Sequence, residues 1–580
     1  MSTSPRFEIG LTLAGAVSAG AYTAGVMDFL IEALDTWEAA KTRQADTPGS
    51  EPLCPVHEVN LRVLSGASAG AIVSAIVAAN IDKTWTPVNA TNADDPQVSN
   101  PLFDCWVNQV DIHALLGDHD LQSDPMPVSA LDATALDAIA QKALSYQGPS
   151  ISRRYVANPL RAIFTLTNLT GVPFRYDLRG NSGYGQDLTL HADQMRFAVM
   201  NAGAANAPAI RLTPDARYEY PLQPTAASKW SDAAWQRFAM TSLASGAFPV
   251  GLRPRPVERN ASDYTDMRLP VQDTHGAPLA IRPSWSLQPN DKYQFLSADG
   301  GGVDNEPLQL ARVELSGSPL VNNVRDGLTA SKALIMVDPF VGPNPAGPVS
   351  VVQNPLHLAL FKLLNASIEQ SRFSAEDIEL ACREDVYSRY MVAPKRPTPA
   401  LLQAQYPQPD GKWIASGALG GFSGFLHREF RKHDFLLGRR NCQLFLAEHF
   451  TLPVDNPLFS AWRNNAALRA CYSVAGKDGE PEQLPIIPLL GRLHPRHGQA
   501  EPVPTWPQDL CDVDALKVPL GARADALFKK YTQDTGIAGL ALGLLWRFWG
   551  RGKILDKANQ VLVQALVAQG LSSGKPQGQA

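Results

Sequence analysis

The stretch that most constrains the fold runs from Val59 to Ala79. A short apolar run (Val59, Leu61, Val63, Leu64) leads into Gly66-Ala67-Ser68-Ala69-Gly70, and Ala71-Ile72-Val73-Ser74-Ala75-Ile76-Val77-Ala78-Ala79 follows. The first part reads as a buried strand and the last as a buried helix, so the pentapeptide has to turn the chain sharply between them. Glycines at 66 and 70 let the backbone fold tightly, and small neighbours keep the Ser68 hydroxyl clear of its own helix. A G-x-S-x-G pattern between strand and helix is the mark of a nucleophile elbow. The hydroxyl then stands at a helix N-terminus, where free N–H groups and the helix dipole favour negative charge. The same letters arise by accident in a chain rich in Ala, Gly and Ser, so the reading depends on what accompanies them.

Two further glycine-rich segments accompany it. Near the N-terminus stands Ile9-Gly10-Leu11-Thr12-Leu13-Ala14-Gly15-Ala16-Val17-Ser18-Ala19-Gly20-Ala21-Tyr22-Thr23-Ala24-Gly25-Val26. Far downstream comes Asp299-Gly300-Gly301-Gly302-Val303-Asp304-Asn305-Glu306-Pro307. The order of glycine turn, serine elbow and Asp-Gly-Gly resembles the patatin-like phospholipase family, lipid acyl hydrolases that use a Ser–Asp dyad. The three motifs span roughly residues 7 to 310. The resemblance implies an α/β, three-layer α/β/α fold with a mostly parallel central sheet, followed by additional C-terminal helices. It implies cleavage of carboxylic ester bonds of a lipid or phospholipid, of phospholipase A or lysophospholipase type, with no metal or organic cofactor. Ser68 would be the nucleophile and Asp299 the general base. Gly15, Ala16, Val17 and the N–H of Ala69 would form the oxyanion hole, and Gly66, Gly70, Gly300 and Gly301 would shape the turns.

The chemistry sets conditions on this pair. A serine hydroxyl is a poor nucleophile until a base takes its proton. A carboxylate of ordinary pKa, ~3.9, is a weak base for that task, and burial in an apolar pocket would raise it toward the useful range. Gly300 and Gly301 read as a turn that lets the carboxylate approach without a blocking side chain; a plain D-G turn between strands is the alternative. The tetrahedral intermediate needs donors aimed at its developing charge. Here the chain departs from the family pattern of three glycines, a small residue and Arg-Gly. It has Gly15-Ala16-Val17-Ser18-Ala19-Gly20, with Ala19 where the arginine would stand. The β-branched Val17 is expected to keep a negative φ. A changed substrate, or a weak basal rate that needs activation, would follow. No G-K-[ST] follows this turn, so it does not read as a phosphate-binding loop.

A Ser–His–Asp hydrolase is the competing mechanism, and it expects a histidine after the acid. His357, His427, His433 and His449 all follow Asp299. None sits in a short Gly-flanked loop after a strand, so surface or capping roles are expected. An esterase for small soluble esters and a catalytically weak lipid-binding or regulatory protein also stay open.

Bulk properties narrow the classes. Apolar residues make up 45% of the 580-residue chain and charged residues 18%, which suits a sizeable core and argues against disorder. A net charge of −5 offers no basic field for nucleic acid. The six cysteines (54, 105, 382, 442, 471, 511) show no zinc spacing and read as reduced core residues. Neither a secretory signal nor a run of ~18 apolar residues is evident, so membrane contact would be peripheral and the location cytoplasmic. The candidate contact is residues 536–553, apolar, then aromatic, then basic; a core-packing helix explains them equally. The oligomeric state stays open.

Periodicity places strands at Phe7–Leu13, Leu160–Leu169, Phe174–Tyr176, Tyr293–Ala298, Ala333–Val337 and Tyr390–Ala393, with 160–169 and 174–176 expected to pair. Helices are expected over Ala21–Ala40, Leu131–Leu144, Arg237–Gly246, Leu356–Leu380 and from Phe430 to Asn441. The expected division is a catalytic core over 1–345 with an insertion at about 80–150, part lid and part cap. A helical extension over 346–475, a Pro-rich linker over 476–510 and C-terminal helices over 511–580 follow. Gly417–Phe425 reads as a glycine–aromatic hinge or lid.

Overall fold

The strand Arg6–Leu13 has Phe7, Ile9, Leu11 and Leu13 fully buried, and the intervening Gly10 and Thr12 are buried too. A strand buried on both faces belongs inside a parallel sheet covered on both sides. The computed structural model describes residues 5–574, apart from 341–382, 397–412, 533–549, 204–218 and shorter stretches at 48, 50–53, 124–128, 178–184, 225–227, 266, 273–274, 384, 477–480 and 497. Its architecture is α/β, with a mostly parallel central sheet flanked by helices.

Across the sheet the order is Arg389–Val392, Lys332–Val337, Arg6–Leu13, Glu58–Gly66, Val156–Asp177, Gly185–Val199 and Glu219–Leu222. All neighbours in that path run parallel except Val156–Asp177 with Gly185–Val199. Helix Gly20–Asp46 crosses from the first strand to the second, and helix Ser68–Asn80 leads away from the second. The strand Lys292–Ala298 joins from the other direction, antiparallel to Val156–Asp177 and to Arg255–Asn260. Register brings three chain segments to one end of the central strands. Leu13 stands opposite Gly66, Gly66 opposite Phe164, and Ala298 opposite Thr167. The N-terminal glycine turn, the serine elbow and the Asp-Gly-Gly turn leave the sheet there, where α/β proteins place ligands.

Helix Gly20–Asp46 buries its expected stripe, Val26, Phe29, Leu30, Ala33, Leu34 and Trp37, to 2% exposure or less. It also buries Asp28 and Glu32, because helix Arg428–Glu448 lies across it. The two backbones meet at glycines: a Cβ on Gly25 would strike the Phe435 carbonyl, and one on Gly438 the Tyr22 carbonyl. Arg439 places its guanidinium between the acids, 2.7 Å from Glu32 and 2.6 Å from Glu501, and also pairs with Asp28. By length and composition this long helix, with the turn before it, could cross a membrane, contrary to the reading of the apolar runs. Of its most apolar 18 residues 94% are buried inside the protein, as in the core helix of a globular domain.

Several sequence expectations need correction. Leu160–Leu169 and Phe174–Tyr176 do not pair with each other; they belong to one strand, Val156–Asp177, whose register shifts between Thr167 and Val172. Gly171, at φ +77°, lets the strand bend there and continue. The core does not stop at residue 345, because Arg389–Val392 adds a parallel edge strand. Helix Arg428–Glu448 is central rather than an appended extension. Residues 476–510 are no linker: Leu484, Ile486 and Ile487 are fully buried, and Gln483–Pro485 pairs with Thr451–Pro453. Prolines break regular structure there without lowering the apolar content that burial needs. Cys54, Cys105 and Cys442 are buried as expected, but Cys471 is exposed. The Leu356–Leu380 helix, Cys382, His357 and residues 536–549 lie outside the described residues.

Candidate active site

Ala67 is extended, and Ser68 opens the helix Ser68–Asn80 with φ +50°, a left-handed conformation that a serine enters only when its surroundings enforce it. The enforcement is visible on both sides. A Cβ on Gly70 would run into the Leu13 carbonyl, and one on Gly66 would stand 2.6–2.7 Å from the Gly70–Ala71 backbone. The Ser68 amide donates to the Ser245 hydroxyl at 2.9 Å, which pins the turn to the end of helix Ala233–Ser245. The Ser68 hydroxyl donates to Oδ2 of Asp299 at 2.7 Å.

Asp299 follows its strand directly and is held from three directions. Its N–H donates to the Ala247 carbonyl at 3.0 Å, its carbonyl accepts from the Thr167 hydroxyl, and its Oδ1 accepts from the Gly301 N–H at 2.8 Å. A Cβ on Gly300 would strike the Thr165 carbonyl, so the turn is bare because the neighbouring strand occupies the space. Burial pushes the Asp299 carboxyl up to about 6, while the Ser68 hydroxyl and the Gly301 amide pull it back down. At that value the carboxyl is largely ionised at neutral pH.

The N-terminal turn is built differently from expectation at two positions. The Gly15 N–H is committed to the Asn305 carbonyl at 3.2 Å, so Gly15 supplies no donor to an oxyanion. Its role is steric: an added Cβ would stand 3.0 Å from the Ser68 Cβ and strike the Asn305 side chain. Val17 does not keep a negative φ; it sits at +47°. The segment Gly417–Phe425 imposes this by packing on the turn. The Ser18 hydroxyl donates to the Gly421 carbonyl, and a Cβ on Gly421 would stand 3.2 Å from both the Ala16 oxygen and the Val17 Cβ. Ala16, Val17 and Ala69 have N–H groups with no backbone acceptor among the described residues. Of these, Val17 and Ala69 line the same cavity as Ser68.

Ser68 opens into an apolar cavity of about 860 Å³, open solvent at its mouth included. One wall is the helix Ser68–Asn80 itself; a second is helix Thr134–Leu144 from the insertion; a third comes from helix Ala233–Ser245. Trp106 and Val110 add the insertion's other half, and Phe248, 44% exposed, stands at the mouth. Ser245 and Asn305 carried no sequence signal as site elements, and the reading of Gly417–Phe425 as a hinge or lid gave no sign that it packs on the N-terminal turn. Asn305 lies within the Asp-Gly-Gly segment, but nothing in its local pattern shows that its carbonyl meets Gly15.

No described histidine lines this cavity. His427 accepts from the Glu429 N–H as a helix N-cap. His433 is buried between Asp434, at 2.8 Å, and the Trp506 ring, and His449 closes the same helix. Among the described residues no group of three or more His, Cys, Asp or Glu side chains gathers where it could hold a metal.

No family model matches the chain. The Uncharacterized protein y4iI of Sinorhizobium fredii is 33% identical over 611 residues, an alignment that covers 99% of this chain and 83% of that protein. Likeness of that extent reaches through all three glycine-rich segments and the C-terminal helices alike, and the chain belongs to the same family as y4iI.

Proposed function

We propose that the protein is a serine acyl hydrolase of the patatin-like, Ser–Asp type, acting on carboxylic esters of lipids. The observation that carries this is the 2.7 Å hydrogen bond from Ser68 to a buried Asp299 at the head of an apolar cavity. In the proposed cycle Asp299 takes the hydroxyl proton as Oγ of Ser68 bonds to the ester carbonyl carbon. The carbonyl electrons move to oxygen, facing the N–H groups of Ala16, Val17 and Ala69. Collapse expels the alcohol, which receives the proton from Asp299 and leaves an acyl-Ser68 ester. Water then attacks that ester, with Asp299 again accepting the proton, and the carboxylic acid is released as Ser68 recovers its hydrogen. A carboxyl titrating at about 6 suits both halves, since it is ionised at neutral pH yet basic enough to hold the proton in transit.

The test is covalent labelling by a fluorophosphonate, together with hydrolysis of long-chain and short-chain esters. The expected result is labelling of the native protein that disappears in Ser68→Ala, with turnover lost in Asp299→Asn. Labelling that persists in Ser68→Ala moves the nucleophile elsewhere. Turnover of short esters alone, with none of long-chain esters, selects the soluble-esterase reading instead.

A further inference from the structure

Three helices turn one helical stripe each toward the cavity below Ser68. On the nucleophile's own helix the lining positions are Ser68, Ala69, Ile72, Ala75, Ile76 and Ala79, a single face that descends from the nucleophile to the helix's last turn. Facing it, helix Thr134–Leu144 contributes Leu136, Ile139, Ala140, Ala143 and Leu144. Leu136 belongs to the cluster around Phe425 near the N-terminal turn, whereas Ala143 lies at the opposite end beside Asn80. The two stripes therefore run together from mouth to floor.

Polar groups stand behind the residues that line its deep end. Asn80, 2% exposed, donates through Nδ2 to the Ile76 carbonyl at 2.9 Å and to the Ala143 carbonyl at 3.2 Å, which ties the two helices together. Lys229, 7% exposed, donates to the Ala79 carbonyl and pairs with Asp82 at 2.7 Å. An alkyl chain that reached past Ala79 and Ala143 would have to break these bonds and strand buried donors, an outcome far less favourable than stopping short. Ala79, Ala143 and Leu144 line its deep end, and the bonded Asn80 and Lys229 lie behind them.

Resting on the acyl-hydrolase reading, we infer that this passage is a length gauge for one unbranched acyl chain, with Ala79 and Ala143 as its stop. Eleven residues of helix from Ser68 to Ala79 span ~16 Å at the helical rise, room for about a dozen extended carbons. Esters of acids up to about that length seat fully. Longer chains leave methylenes outside and gain nothing from them.

The experiment is kcat/KM across p-nitrophenyl esters of saturated acids from four to eighteen carbons, with the full-length protein and three variants. In the native protein kcat/KM is expected to climb with chain length and stop climbing near twelve carbons. Ala143→Leu fills the floor and is expected to lower the ratio of twelve-carbon to four-carbon turnover about tenfold, from roughly two lost buried methylenes. Ala140→Leu, one turn nearer the mouth, moves the optimum shorter again by about three carbons. Leu144→Ala lengthens the passage and shifts the optimum the other way, and it decides the matter if Ala143→Leu fails to fold. Fluorophosphonate labelling reports which variants are folded. Chain-length profiles that coincide in all folded variants overturn the gauge while leaving the hydrolase reading in place. A native protein that turns over no ester of any length overturns the hydrolase reading itself, and the gauge with it.

Discussion

Ser68 and Asp299 lie 231 residues apart in the chain, yet the hydroxyl of one donates to the carboxylate of the other at 2.7 Å. The pair is buried, and that burial accounts for the raised carboxyl of Asp299, at about 6. A base acts only when ionised. In the proposed reaction kcat/KM is therefore expected to rise with pH through a single limb at about 6 and then to level off. A pH profile from 4 to 9 with a short-chain ester checks this; a limb near 4 would mean that the acting carboxylate is a solvated one.

The same shift has a consequence for stability, with a definite sign. A carboxyl at about 6 in the fold and near 3.8 when unfolded binds its proton more tightly in the native state. Its favourable contribution is complete below the unfolded value and fades as pH rises through about 6. Asn at 299 cannot ionise. Asp299→Asn is expected to be more stable than the native protein at pH 8, by on the order of 3 kcal/mol, and to lose that advantage toward pH 4. Thermal unfolding of the two proteins at both pH values measures it.

Gly15 carries no donor to the oxyanion, so its substitution tests geometry alone. In Gly15→Ala the added methyl would stand 3.0 Å from the Ser68 Cβ and press on Asn305. The expected effect is a fall of at least 10²-fold in fluorophosphonate labelling rate, since a misplacement of about 1 Å is enough for a loss of that size. Labelling at the native rate would show that the turn and the nucleophile are not in contact.

Ser245 is a positioning residue that holds the Ser68 amide at 2.9 Å. Ser245→Ala leaves that buried N–H without its acceptor, and a several-fold to about tenfold drop in kcat is expected. The pH limb should stay at about 6, because Asp299 is untouched, and Ser245→Thr should restore much of the rate. A shifted limb would implicate the site's electrostatics instead.

Arg439 ties helix Arg428–Glu448 to helix Gly20–Asp46 through Asp28 and Glu32. Arg439→Met leaves those acids buried with their main cation gone, although Asp28 keeps hydrogen bonds from Trp85, Val88 and Asn100. A loss of about 3–5 kcal/mol is expected, read as a lower unfolding midpoint. Little change would mean that the remaining partners, Arg492 for Glu32 and the three donors to Asp28, satisfy the acids without the arginine.

The sequence alone determined the local features: a strand-turn-helix with serine at its bend, an Asp-Gly-Gly turn after a strand, and the apolar stripe of the helix Gly20–Asp46. Each follows from steric and burial rules that act over a few residues, and each was readable without coordinates. Tertiary structure decided everything that depends on a partner distant in the chain. The left-handed Val17 contradicts its own β-branched preference because Gly421, four hundred residues on, packs against it. The proline-rich stretch around Ile486 became core because its segment Gln483–Pro485 pairs with Thr451–Pro453, and Asp28 became buried because Arg439 arrives to pair with it. Local letters set what each segment can do; the burial of Asp299, and with it the basicity the proposed chemistry needs, exists only once the sheet has brought three separate turns to one end of its strands.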